Sequence, residues 1–225
     1  MIRTAGFGNG DDNMIGTNAA PTFKEARAAR EAALHEARRG LILNGAWSVF
    51  RRDGLDGATM RAIALASGCT TGAIYPLFAS KEAIYAALLM QSLECLHAEV
   101  AAAAQDQEPL ARLRAAANSF LGYYRDKPDE VTLGLYLWNG VRPRGLTPEA
   151  DRNLNRRLAD TLGIVERAFN DAGAGEPQAE TAALFAFLIG ALLVHQTGRL
   201  RTLNSNLDAI AGRHIDCLVT ALAKP

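Results

Sequence analysis

The chain has 225 residues, of which 49% are hydrophobic and 21% charged, and its formal net charge is zero. That balance excludes wholesale disorder and supports one large domain or two unequal ones with an adequate core. Three scattered cysteines (Cys69, Cys95, Cys217) are too few for a disulfide framework or a zinc site, so a reducing cytoplasm is expected.

The first 23 residues, MIRTAGFGNGDDNMIGTNAAPTF, lack the apolar core of an export signal and read as a tail. From Lys24 to Asp53, Leu34, Leu41, Ile42, Gly45, Ala46, Val49 and Phe50 recur at helical spacing, and Gly54 supplies a stop. Thr59 caps a short helix that carries Ile63 and Ala64 and ends at Gly68. Thr70 caps a second short helix through Tyr75, and Ser80 opens a long one to about Ala104.

Further helices are expected over Pro109–Arg125, Pro128–Trp138 and Pro148–Ala172, with two apolar ones over Pro177–Leu200 and Asn204–Ala223. The longest uncharged apolar run, Ala182–Val194, falls short of the roughly 20 residues that span a bilayer, so no membrane partner is expected. The pattern is all-α, with about nine helices.

Charge is distributed unevenly. Residues 24–81 carry a net +4 and residues 82–225 a net −3, so a basic first third sits on a mildly acidic body. This suits an anionic partner at one end. Two short capped helices joined by a glycine turn form a helix-turn-helix, whose second helix enters a DNA major groove. Its small residues Thr70, Thr71, Gly72 and Ala73 permit close approach to base edges. Capping amides, Tyr75 and Lys81 suit phosphates.

Three submotifs occur in order: Ile42-x3-Ala46-x3-Phe50-x3-Gly54, then Thr59-x3-Ile63-Ala64-x2-Ser67-Gly68, then Gly72-Ala73-Ile74-Tyr75-x2-Phe78-x-Ser80-Lys81-Glu82. Together they resemble the N-terminal domain of TetR-family repressors over roughly residues 35–90. The resemblance implies a tail (1–23), a three-helix DNA-binding domain (24–79) and a helical ligand-binding and dimerisation domain (80–225). It also implies a homodimer on a palindromic double-stranded operator, released by a small-molecule effector.

DNA contacts are then expected from Thr59, Arg61, Thr70, Thr71, Gly72, Ala73, Tyr75 and Lys81, with Tyr75 and Lys81 resembling the family's phosphate clamps. Pro76 and Leu77 depart from the usual pattern, and Pro76 should turn Tyr75 out of helical geometry. Aromatic and polar residues of the middle helices (Phe120, Tyr123, Tyr124, Tyr136, Trp138, Asn139), with His195, are the candidate walls of a pocket for a largely apolar effector.

In the last two helices Phe187, Gly190, Ile210, His214, Cys217 and Ala221 form a candidate dimer seam. No nucleophile elbow, phosphate loop or metal motif is present in the sequence, so neither an enzyme nor a cofactor is expected. Two alternatives remain open: a DNA-binding factor without a ligand, and a helical enzyme with a hydrophobic pocket.

Overall fold

A computed structural model of the chain describes residues 22–105, 108–135 and 146–223. Among these, nine α-helices and one 3-10 turn occur and no strand. The chain divides into two compact units between Arg38 and Arg39. In the first unit the helical residues up to Arg38 are solvent-exposed, and the candidate site lies in the second.

Helix α1 (Phe23–Gly57) opens on a capping box: the Thr22 hydroxyl accepts from the Glu25 amide, and the Glu25 carboxylate accepts from the Thr22 amide at 2.7 Å. Gly54 interrupts it with φ 67°, ψ 178°, a conformation glycine adopts without strain, so the expected stop is a kink. Helix α2 (Met60–Ala66) ends in a Schellman motif: Cys69 N–H reaches the Ala64 carbonyl and Gly68 N–H, at φ 66°, the Leu65 carbonyl. Helix α3 (Thr71–Ile74) is a single turn, and α4 (Lys81–Ala103) follows.

Four successive helices start with proline at the first turn, where its missing N–H costs nothing. They are α5 (Pro109–Asp126), α6 (Pro128–Gly134), α7 (Pro148–Asp171) and α8 (Pro177–Gln196). Helix α8 stops four residues sooner than its apolar pattern suggests, because Gly198 turns left-handed (φ 70°) and starts a 3-10 turn over Arg199–Leu203. Asn204, also left-handed, delays α9 to Leu207–Leu222, capped by Asn206 rather than begun at Asn204.

Helix α4 packs on α5 and α7, α7 on α8, and α5 and α8 on α9. The core runs continuously from Ile42, Phe50, Ile63 and Ile74 through Tyr85 and Leu96 to Phe169, Leu192 and Ile215. With 20 residues and a mean hydropathy of 1.6 in its most apolar window, α8 is long and apolar enough to span a membrane by length and composition. Its inward side, Leu184, Leu188 and Leu192, is nonetheless packed into this core.

Candidate functional site

The paired short helices are built on buried anchors and open outward. Ile63, Ala64 and Ile74 are buried, whereas Arg61, Thr70, Gly72 and Tyr75 are exposed and Thr71 and Ala73 half-buried. The Thr59 hydroxyl accepts the Ala62 amide at 3.1 Å and the Thr70 hydroxyl the Ala73 amide at 3.3 Å. These caps fix the first turns, so the remaining free N–H groups at each start point outward as donors. Arg61 has no acidic partner among the described residues, which leaves its five donors free for a base edge or phosphate.

Helix α1 holds this pair from behind. At Gly45 a Cβ atom would lie 2.7 Å from the Ser67 amide nitrogen, so only glycine lets α1 touch the end of α2. Ser67 in turn donates its hydroxyl to the carbonyls of Ile63 (2.7 Å) and Ala64 (3.1 Å). One exposed residue was not anticipated: Leu65 stands 84% exposed four residues after Arg61, on the same face of α2. Its i, i+4 spacing from Arg61 was the available signal.

Two expectations about this region change. Pro76 does not turn Tyr75 away from helical geometry. Tyr75 keeps φ −55°, ψ −33°, because the amides of Leu77 (2.8 Å) and Phe78 (2.9 Å) both bond the Ile74 carbonyl and extend the turn past the proline. Lys81 is not disposed as a phosphate clamp. Its ammonium donates to the carbonyls of Leu55 (2.7 Å), Asp56 (3.1 Å) and Ala58 (3.0 Å). An ammonium has three donors, and all three are spent in joining the start of α4 to the end of α1.

The other basic residues near this region are engaged as well. Arg52 pairs with Asp53 at 2.7 Å, Arg51 with Asp129 of α6 at 3.1 Å, and Arg39 lies over the Phe78 ring. The Arg52–Asp53 bond holds that carboxyl below its ordinary range.

Beyond the paired short helices, α4 to α8 enclose an apolar cavity of about 60 Å³ lined by Leu89, Leu93, Tyr124, Val131, Leu154 and Phe185, among others. Asn155 also lines it, and the Tyr124 hydroxyl makes no hydrogen bond among the described residues. Burial raises the Tyr124 pKa, so this hydroxyl stays neutral and can donate.

Of the expected pocket residues, Tyr124 lines this cavity and His195 a separate cleft. Phe120 and Tyr123 stand behind the wall. Phe120 packs edge-on against Tyr124 and Phe185, and Tyr123 donates to the Ser92 carbonyl at 2.9 Å. Tyr136, Trp138 and Asn139 lie outside the described residues.

Beside Tyr123 lies a buried polar knot. The Ser92 hydroxyl meets the Tyr123 hydroxyl at 3.3 Å, and Glu130 Oε2 is buried without a partner. Desolvation accordingly raises the Glu130 pKa.

The seam residues fall on one partly open side of α8 and α9. Phe187, Gly190, Ile210 and His214 are half-buried, and Cys217 and Ala221 exposed. The Phe187 and His214 rings stack with centroids 3.8 Å apart.

Comparison with known proteins agrees with this geometry. Residues 42–88 match the family described as bacterial regulatory proteins, tetR family. Among solved structures, a bacterial regulatory protein in the tetR family from Rhodococcus RHA1 superposes with a TM-score of 0.68 at 21% identity, covering 84% of this chain and 98% of that one. The fatty acid degradation regulator FadR from Bacillus halodurans superposes with a TM-score of 0.64 at 15% identity, covering 84% and 97%. AibR, in complex with isovaleryl coenzyme A and operator DNA, gives a TM-score of 0.62 at 22% identity, covering 79% and 96%. Among curated proteins, none matches this chain.

Proposed function

We propose that the chain is a cytoplasmic, ligand-responsive transcriptional regulator, because residues 42–88 match the tetR family of bacterial regulatory proteins and the chain shares the fold of solved tetR-family proteins. In this reading residues 24–79 read a palindromic operator, residues 80–225 sense and dimerise, and the ligand-free homodimer represses. The observation that carries the proposal is the exposed Arg61, Thr70, Gly72 and Tyr75 surface set on buried Ile63 and Ile74. Fully buried anchors cannot be spared for binding, whereas exposed small residues over capped amides have no role in the core.

Support for a dimer comes from a mismatch between composition and burial. Helix α8 is apolar nearly all round, yet only 28% of its most apolar window is buried. Phe187, Gly190, Ile210 and His214 lie on the uncovered side, where a second copy related by a two-fold axis would complete a four-helix interface. Two-fold pairing of the readers is what a palindrome requires.

Support for a ligand comes from the cavity lined by Tyr124, an apolar space with a free hydroxyl in its wall. The fatty-acid and acyl-coenzyme A associations of two structural neighbours suit such a lining. A ligand there would bear on α4 and α6 and so on the contacts of Lys81 and Asp129 with α1. DNA and ligand would then weaken each other's binding by the same factor.

The test is to select bound fragments from the source genome and titrate the best one by fluorescence anisotropy, with and without candidate acyl compounds. Specific binding of a palindrome, weakened by a ligand that binds the protein directly, is expected. An unchanged midpoint with a verified ligand would overturn the ligand response, and failure to enrich any site would overturn the regulator reading.

A further inference from the structure

Beside the apolar cavity is a cleft of about 560 Å³, which Tyr124 also lines. One wall is the α5–α6 junction (Arg125, Pro128, Asp129, Thr132), and the other is the end of α8 with the turn after it (His195, Gln196, Arg201, Ser205). Gln196 ties the walls together by donating to the Pro128 carbonyl at 3.0 Å.

The charges in this cleft are unequal. Asp129 is paired with Arg51, and Arg125 is held between Asp126 and Asp208, neither of which lines the cleft. Arg201 has no acidic partner among the described residues. It is nevertheless positioned: a Cβ at Gly198 would lie 2.9 Å from its Nη2, so the guanidinium rests against a residue with no side chain to displace it. The same left-handed Gly198 ends α8 and creates the wall.

A guanidinium free of carboxylates, at the edge of a cleft that also offers the His195 imidazole and hydroxyls of Thr132 and Ser205, is chemistry for an anion. The apolar part of the lining is Pro128, Leu192 and Leu200, and it leads to Tyr124, which also lines the apolar cavity. Along α6 and α8 the two spaces are neighbours, Thr132 and Leu192 facing the cleft and Val131 and Ile189 the cavity.

We propose that this cleft binds the charged group of a small amphipathic organic anion, a carboxylate or a phosphate, against Arg201. The short apolar part of the ligand lies towards Tyr124 and the cavity beyond it. The inference deepens the ligand response argued above and rests on it. It gives the effector a charged end and a place for that end, and the cavity volume limits the apolar part to a few carbons.

The experiment is isothermal titration calorimetry on the full chain at low salt with hexanoate, hexyl phosphate, hexanol and inorganic phosphate. One of the two amphipathic anions should bind at least tenfold more tightly than hexanol, and whichever does identifies the charged group. Arg201→Gln should weaken that anion about tenfold, equivalent to 1.4 kcal/mol, while leaving hexanol unchanged. Arg201→Lys should recover part of the loss.

Hexanol binding as well as the anions, an Arg201→Gln variant that binds them normally, inorganic phosphate binding as well as hexyl phosphate, or no binding by any probe each overturns the proposal. Anisotropy with the selected operator separates this failure from that of the regulator itself. A protein that binds its operator but no anion keeps the reader and loses the cleft. One that binds the anion through Arg201 but no DNA keeps the cleft and loses the reader.

Discussion

Gly45→Ala isolates the contact that holds the reader in place. An ideal Cβ at this position would fall 2.7 Å from the Ser67 amide nitrogen, 2.8 Å from its Cβ and 2.9 Å from its Cα. Ordinary contacts need about 3.5–4.0 Å, and none of these three atoms can rotate away, so the end of α2 must retreat by roughly 1 Å. Overpacking of this kind costs about 1–3 kcal/mol, against about 1 kcal/mol gained by alanine over glycine in a helix. The net is a loss of up to about 2 kcal/mol, or several degrees in Tm for a chain of this size.

Gly40→Ala is the matched control, because nothing lies within 4 Å of its added Cβ and only the helical gain remains. The two variants should therefore shift Tm in opposite directions by differential scanning calorimetry. Displacing Ser67 also moves the Gly68 turn that aims α3, so Gly45→Ala should weaken specific operator binding about tenfold or more, by analogy with the rate cost of a 1 Å misplacement. Non-specific binding at low salt should hardly change. If Gly45→Ala melts as high as Gly40→Ala and binds its operator normally, the argument from close approach is wrong.

Arg61→Ala should reduce the log–log salt slope of DNA binding by about 0.9 if the guanidinium meets a phosphate, or relax preference at one base pair if it meets a base edge. Lys81→Met should leave that slope unchanged and lower Tm, because the ammonium is committed to carbonyls; a flattened slope would restore the phosphate role. Phe187→Glu or Ile210→Glu should give a monomer by light scattering and lose operator affinity, and a dimer of normal affinity would place the interface elsewhere. Glu130 holds its proton more tightly folded than unfolded, so its contribution to stability is lost as pH rises from about 4.5. Denaturant unfolding should show Glu130→Gln gaining on the wild type at pH 7 and not at pH 4, and equal differences at both would remove the carboxyl from the explanation.

What could be read from the amino-acid string was local chemistry. The caps at Thr59, Thr70 and Ser80 each bond the amide three residues on, and Gly68 closes α2 in the left-handed conformation its position implied. Such features depend on neighbours within one turn, which spacing reveals. Lys81 was misread because its acceptors lie 23–26 residues away in sequence, and whether a lysine meets phosphate or carbonyl depends on where two helices converge. Gly45 looked like one more small residue in an apolar stripe, since nothing local says that Ser67 arrives there. The cleft is not legible in the sequence for the same reason: Arg125 and Arg201 are 76 positions apart and line one cleft only once α5 and the turn after α8 are packed.

Those long-range contacts decide how a signal could reach the reader. Polar links from α1 to the helices around the cavity include Lys81 at the start of α4 and the Arg51–Asp129 pair to α6. The ion pair has side chains 54% and 41% exposed, and such pairs contribute about 0–1 kcal/mol. Lys81 makes three charge-assisted bonds from a half-buried position, and hydrogen bonds to charged groups are worth about 1.5–3 kcal/mol each before the loss of solvation is shared among them. The α4 link is therefore the stiff one, and the α6 link yields first. A ligand that moves α6 alone would break a weak surface pair and leave the reader where it was. One that shifts α4 carries the end of α1 with it through Lys81. On this reasoning Asp129→Asn should leave the effector response nearly intact, whereas Lys81→Met should uncouple it while both DNA and ligand still bind. The reverse pattern would assign the coupling to α6.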